Sequence, residues 1–220
     1  MGVHVGDWIK PLSSIMQDNE WAGRRAFIVG GGPSLKGFDF SALQGELVVA
    51  INRAYTCGIA TLVCGADRGF WESFKHDPLL WEHPRKVFLS DDNWDMPCNG
   101  VYRVKMLEMF NWGKSLSRGV GAGPDSGYRT LNLVDVLGAS PIGLLGFDMD
   151  GHPDGRQAWW HEGYPRRQHN VVYDRFRGAY KDAVNMQVIK SKVYNLNSGS
   201  RLEAFPKIGL SEFMKLPVGR

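Results

Sequence analysis

Short unbroken apolar runs recur along the chain, separated by polar breaks that contain glycine. The runs are AFIVG (26–30), LVVAI (47–51), TLVCGA (61–66), KVFLS (86–90), VYRVK (101–105), PIGLLGF (141–147) and VIKSKVYNL (188–196). Runs of this length without polar alternation suit strands buried on both faces, as in a parallel sheet covered by helices. Seven of them at this spacing predict an α/β layered fold.

The breaks carry the helix signals. FDFSALQGE offers Ser41 as the cap of a short helical turn, and RGFWESFKHDPLLWE (68–82), with aromatics at helical spacing, predicts one helix. GPDSGYRTLNLVDVLGAS places Leu131, Val134, Leu137 and Ala139 on an apolar stripe with Gly138 near its end, the pattern of a helix closed by glycine. RFRGAYKDAVNMQ predicts a further helix. Ahead of it, GHPDGRQAWWHEGYPRRQHN (151–170) reads as a long loop rich in aromatics, His and Arg, the kind that is usually a functional lid or disordered. Residues 151–180 are therefore expected to form an irregular lid of loop and helix, and residues 1–24 an N-terminal extension.

Composition narrows the class. A chain of 220 residues, 43% hydrophobic, fills one well-buried core and is too short to promise two large domains, so residues 1–220 are read as a single domain. The 26 basic residues nearly balance 23 acidic ones, and no run of five like charges occurs, so charge does not call for nucleic acid. Arg166, Arg167, Arg175 and Arg177 form a local basic group, either a solvated face or an anion site. Cys57, Cys64 and Cys98 are odd in number without CxxC spacing, and MGVHVGDWIKPLSS lacks the apolar core of a signal peptide, which points to a reducing cytoplasm. No apolar stretch approaches the roughly 20 residues that span a bilayer, so a soluble chain with no membrane partner is expected. MGVHVG lacks the Ser or Thr at the sixth position that myristoylation needs. The oligomeric state is open, a homo-oligomer included.

Four polar clusters end apolar runs. In GGGPSL, Gly30, Gly31 and Gly32 follow the first run, with Pro33 and Ser34 at the start of a turn. Glycines there either expose backbone N–H groups to a phosphate or merely turn the chain. The second run stops at Asn52 and Arg53, where an Asn binds a nucleotide's ribose or phosphate, or caps a turn. The third stops at Asp67 and Arg68. The GFDMD stretch ends in Asp148 and Asp150, which suit Mg²⁺ with a nucleotide's phosphates, sugar hydroxyls, or a loop cap. Trp71, Trp81, Trp94 and Trp112 read as core and lid packing, with a stacking surface for a base or sugar as the alternative.

GGGPSL, the INRAY stretch about twenty residues on, DSGYRTLNLVDVLGASPIGLLGFDM and VYNLNSGSRLEAFPKI, in that order, resemble the superfamily that joins bacterial sialyltransferases to the archaeal-type 6-hydroxymethylpterin pyrophosphokinases, with uncharacterised phage members. The resemblance covers roughly residues 25–210. It implies a single Rossmann-like three-layer domain with a mostly parallel sheet, in which the GGPSL loop and Asn52 hold a nucleotide and Ser126-Gly127 lies near the donor phosphate and sugar. The chain has GGG where the sialyltransferase loop usually reads GNG, which removes one expected contact to cytidine. The resemblance also implies a general base on the segment after GFDM. His161 is the best placed, with His169 and His152 behind it, and Tyr164, Tyr173 and nearby arginines are candidates for stabilising the departing phosphate. The alternative for His161 is packing among Trp159, Trp160 and Tyr164. Asn197, Ser198 and Ser200 are read as mainly structural, closing the site beside the glycine loop.

Three functions are compatible with these residues. The first is an inverting nucleotide-sugar-dependent glycosyltransferase that needs no cofactor, with a nucleotide or nucleotide-sugar donor and a glycan or modified-base acceptor. The second is a pyrophosphokinase-like enzyme using ATP and Mg²⁺, with Asp67, Asp148 and Asp150 near the metal. The third is a nucleotide-binding protein without turnover.

Overall fold

The computed structural model describes residues 9–91, 100–151, 157–162, 164 and 171–218. Trp94, Cys98, His152, Arg166, Arg167 and His169 lie outside the described residues. In chain order the strands are β1 (Lys10–Pro11), β2 (Ala26–Val29), β3 (Leu47–Ile51), β4 (Leu62–Gly65), β5 (Lys86–Phe88), β6 (Val101–Arg103), β7 (Met106–Met109), β8 (Val120–Ala122), β9 (Ile142–Leu145) and β10 (Val193–Asn195). The helices are α1 (Arg68–Phe74), α2 (Pro78–Trp81), α3 (Ser126–Val136), α4 (Val172–Asn185) and α5 (Leu210–Met214). Each of the seven apolar runs supplies a strand, and all seven enter one eight-stranded sheet of order β1-β6-β5-β4-β3-β2-β9-β10. Every neighbouring pair in it is parallel.

The continuous apolar runs are explained by the layers. Successive side chains of a strand point to opposite faces. Phe27, Val29, Val48, Ala50, Val63 and Phe88 pack with Phe70 and Trp71 of α1, Leu80 of α2 and Phe213 of α5. Their strand neighbours Ala26, Ile28, Val49, Leu62, Cys64 and Val87 pack with Leu131 and Val134 of α3 and Ala179 and Ala183 of α4. Both faces are buried, so neither needs polar positions, and each filled aliphatic site contributes roughly 1.5–3 kcal/mol. α3 starts where Asp125 accepts from the Tyr128 N–H at 3.0 Å, and it stops at Gly138, whose φ of +82° is the left-handed closure expected from the sequence.

Three local expectations are corrected. The single helix over 68–82 is two, because Pro78 cannot donate to the preceding turn and Asp77 instead caps a new start by accepting from the Leu79 N–H at 3.0 Å. The turn in FDFSALQGE is capped by Asp39, which accepts from the Ser41 N–H, rather than by Ser41. The VIKSKVYNL run keeps only three residues as strand. Within the N-terminal extension, Lys10 and Pro11 add an edge strand beside β6. The pair β7–β8 forms a second, two-stranded sheet that the hydrophobic pattern does not announce.

From β2 the chain winds outward through β3, β4, β5 and β6, then returns to place β9 and β10 on the other side of β2. The strand order therefore reverses between β2 and β9, and in open α/β sheets ligands bind at the carboxyl ends of the strands at such a switch point.

Candidate functional site

The glycine triplet stands at that reversal. Gly30 donates to the Leu145 carbonyl and Gly32 to the Gly146 carbonyl, both at 2.8 Å, which lashes the loop to the end of β9. A Cβ at Gly30 would lie 2.8 Å from the Gly146 oxygen, and one at Gly31 would lie 2.9 Å from the Trp159 ring. A Cβ at Gly32 would fall on the Asp148 carboxylate and lie 2.5 Å from the Gly146 oxygen. Each glycine is thus required by close approach of the chain to itself. The Asp148 carboxylate accepts from the Ser34 N–H at 3.2 Å, from the Ser34 hydroxyl at 2.8 Å and from the Asn197 amide at 3.0 Å. Loop donors that an external anion would use at Ser34 already hold this internal one. Burial pushes the Asp148 pKa up, and its hydrogen bonds from Ser34 and Asn197 oppose that. Ser200 donates to the Phe147 carbonyl at 2.6 Å, so the Asn197–Ser200 segment braces this end of the site.

Beyond the loop lies a cleft of about 740 Å³, in the range of small-molecule sites. Of the residues singled out in the sequence, Gly30, Gly31, Gly32, Asn52, Asp67, Ser126, Gly127, Asp148, Asp150, Tyr164 and Tyr173 line it. Pro33, Ser34, Arg53 and His161 do not. Asn52 sits at the end of β3 with φ +51°, a left-handed conformation that aims its amide at Ser126, whose hydroxyl accepts from it at 3.4 Å. Arg53 is turned away: its guanidinium pairs with Glu162 at 2.7 Å and lies 4.9 Å from the centre of the Phe74 ring, while its N–H donates to the Tyr164 hydroxyl.

The lid segment is docked on the glycine loop. Trp160 donates its backbone N–H to the Gly31 carbonyl at 3.1 Å and its indole N–H to the Gly30 carbonyl at 2.9 Å. His161 follows, its ring parallel to Trp159 and edge-on to Trp160 and Tyr164. A Cβ at Gly31 would come within 3.3 Å of His161 Nε2, so the imidazole lies against the loop. Burial, with Arg53 adding to it, pushes the His161 pKa down to about 4, and the ring is neutral at pH 7. Burial likewise raises Tyr164, and takes Tyr173 up to about 12 with help from the Asp148 charge, so both hydroxyls keep their protons at pH 7.

Of the cleft residues not singled out in the sequence, three bear on its chemistry. Trp159 lies over Gly31. Arg129, one turn into α3, donates to the Leu89 carbonyl at 2.7 Å and the Gly123 carbonyl at 3.2 Å. Asp125 accepts from the Tyr128 N–H and, at 3.1 Å, from the Tyr180 hydroxyl, while its other oxygen, Oδ2, is buried with no hydrogen-bond partner among the described residues. Burial raises the Asp125 pKa to about 6 against the pull of these hydrogen bonds and Arg129. Among the described lining residues, carboxylates at 67, 72, 125, 148 and 150 face one basic side chain, Arg129.

The Asp148–Asp150 pair does not fit Mg²⁺. Asp148 is already supplied with three donors, and Asp150 accepts from the Gly151 N–H and faces Arg201 at 3.6 Å. Among the described residues no group of three or more His, Cys, Asp or Glu is placed to hold a metal ion. None of the described helices is long and apolar enough to cross a membrane. Comparison with protein-family models, with characterised proteins and with solved structures finds no match to this chain.

Proposed function

We propose that the chain is a nucleotide-sugar-dependent transferase whose donor lies in the cleft at the β2–β9 reversal. The observation that carries this reading is the convergence on one 740 Å³ cleft of the glycine loop, Asn52, Asp67, Ser126-Gly127 and Asp148, from five separate stretches of sequence. Asn52 and Ser126 suit the hydroxyls of a ribose or sugar. Arg129 is the one basic side chain among the described lining residues and is the counter-charge the cleft offers the donor phosphate. The carboxylate-rich wall favours hydrogen-bond donors, so a neutral or amino sugar is a better passenger than an acid sugar.

Thermal unfolding with CMP, UMP, AMP and ATP, each with and without Mg²⁺, tests this. The expected result is stabilisation by one of the monophosphates that does not depend on Mg²⁺. Stabilisation by ATP that requires Mg²⁺ would replace the reading with a pyrophosphokinase-like one, and no shift with any nucleotide would remove both.

A further inference from the structure

Resting on the transferase reading, we infer that Asp67 and Gly69 seat the donor's sugar and set its class: the Asp67 carboxylate accepts from sugar hydroxyls, and a sugar with its own carboxylate is turned away. Asp67 stands where β4 stops, at the residue that caps α1. An aspartate there ordinarily spends its side chain on the free N–H groups of the first turn. Asp39, Asp77 and Asp125, at the same position of other helical turns, all do so, and Asp67 does not. Its carboxylate is held among side chains of the cleft instead. It interacts with the Ser126 hydroxyl and the Arg129 charge, both on α3, and Tyr164 of the lid segment feels its charge in turn. All three of these residues line the cleft. Asp67 is also exposed, so a ligand group can reach it. Enclosure by the cleft raises its pKa, and Arg129 and Ser126 oppose that by favouring the charged form.

The wall two residues on is left bare. Gly69, Glu72 and Ser73, at the spacing of one helix face, all line the cleft. Gly69 is not left-handed, and a Cβ there would meet nothing within 4 Å, so neither backbone strain nor packing asks for glycine. Glycine in a helix costs up to about 1 kcal/mol against alanine, and what it provides here is open cleft beside Asp67. Charge then selects what enters that space. A nucleotide sugar brings phosphate charge, for which Arg129 is the one basic side chain among the described lining residues. A carboxylate on the sugar finds no second basic side chain among them, and it meets Asp67. Sugar hydroxyls bring donors, and hydrogen bonds to a charged acceptor are the stronger kind.

The test is calorimetric titration of the full chain, of Asp67→Asn and of Gly69→Leu with paired probes that share a nucleotide. The pairs are UDP-glucose with UDP-glucuronic acid and GDP-mannose with GDP-mannuronic acid, and CMP-N-acetylneuraminic acid is compared with CMP. Asn suits the start of a helix as well as Asp does, and Leu is a better helix former than Gly, so both variants keep the fold. The expected result is that wild type binds the neutral member of a pair at least about tenfold more tightly than its acid partner. Asp67→Asn is expected to bring that ratio within about twofold of one, and Gly69→Leu to weaken the neutral member at least about tenfold. A wild-type ratio near one, a ratio unchanged in Asp67→Asn, undiminished binding by Gly69→Leu, or binding of CMP-N-acetylneuraminic acid as tight as that of CMP overturns the assignment while the transferase reading stands. If the wild-type chain binds no nucleotide sugar of the panel, the transferase reading fails and the assignment falls with it.

Discussion

Replacing Gly32 by alanine separates a glycine kept for the chain's own packing from one kept for a ligand. The backbone there has φ −58° and ψ 143°, a conformation any residue adopts, so alanine brings no dihedral strain. Its methyl must instead displace the Asp148 carboxylate, and the Gly146 carbonyl at 2.5 Å is backbone that cannot swing aside. Overpacking of this kind costs about 1–3 kcal/mol. Displacing Asp148 also weakens three charge-assisted hydrogen bonds, of which the two from Ser34 recover partners from water, so that a further loss of about 1.5–3 kcal/mol is a fair upper figure. Alanine's smaller unfolded-state entropy returns about 0.4–1 kcal/mol. The net expectation is destabilisation by about 2–4 kcal/mol, or a fall in Tm of about 5–15 °C for a chain of this size. Circular dichroism melts of the ligand-free protein measure it. A Gly32→Ala protein that melts within about 2 °C of wild type yet loses nucleotide binding would refute the reasoning, because the glycine would then serve the ligand and not Asp148.

Gly178, inside α4, shows the opposite sign: a Cβ there meets nothing within 4 Å, so Gly178→Ala is expected to stabilise by about 1 kcal/mol and raise Tm by about 2–4 °C in the same melts. Asp125 gives a pH dependence. Between its ordinary value of 3.8 and its folded value of about 6, the folded chain binds more protons than the unfolded one, so this group's contribution to stability falls as pH rises through that window. Asp125→Asn removes the penalty, by at most about 3 kcal/mol, and should gain on wild type in chemical denaturation from about pH 4 to 6.5 and then level off. A difference between the two proteins that is flat across that range would contradict the assigned burial.

The strands were legible because their physics is local: a segment buried on both faces needs only an unbroken apolar run, and LVVAI or AFIVG states that directly. The division of labour within each run, Phe27 and Val29 to one layer and Ala26 and Ile28 to the other, follows from the pleat. The break in the 68–82 helix was written in Asp77-Pro78, but the aromatic spacing on either side outweighed it. The pair β7–β8 was hidden because one partner, Val120–Ala122, is three residues in a glycine-rich stretch. The position of the glycine triplet was readable and its cause was not, since Asp148 stands 114 residues beyond Ser34 and nothing local links them. Asp125 was overlooked for a related reason. In sequence it is a helix cap, and only the packing of α4 against α3 brings Tyr180 to one of its oxygens and leaves the other without a donor. His161 lies in a segment with no periodicity, so its place against Gly31 rather than on the cleft wall was not written in the residues around it.

The most direct test is a titration of the isotope-labelled chain with the nucleotide that stabilises it most, followed through backbone amide resonances. Saturable shifts gathered at Gly30 to Gly32, Asn52, Asp67 and Ser126 to Arg129 are expected, with the far ends of β6 and α5 unmoved. Shifts that do not saturate, or that gather away from the carboxyl ends of β2, β3 and β9, would contradict a nucleotide site at the strand reversal.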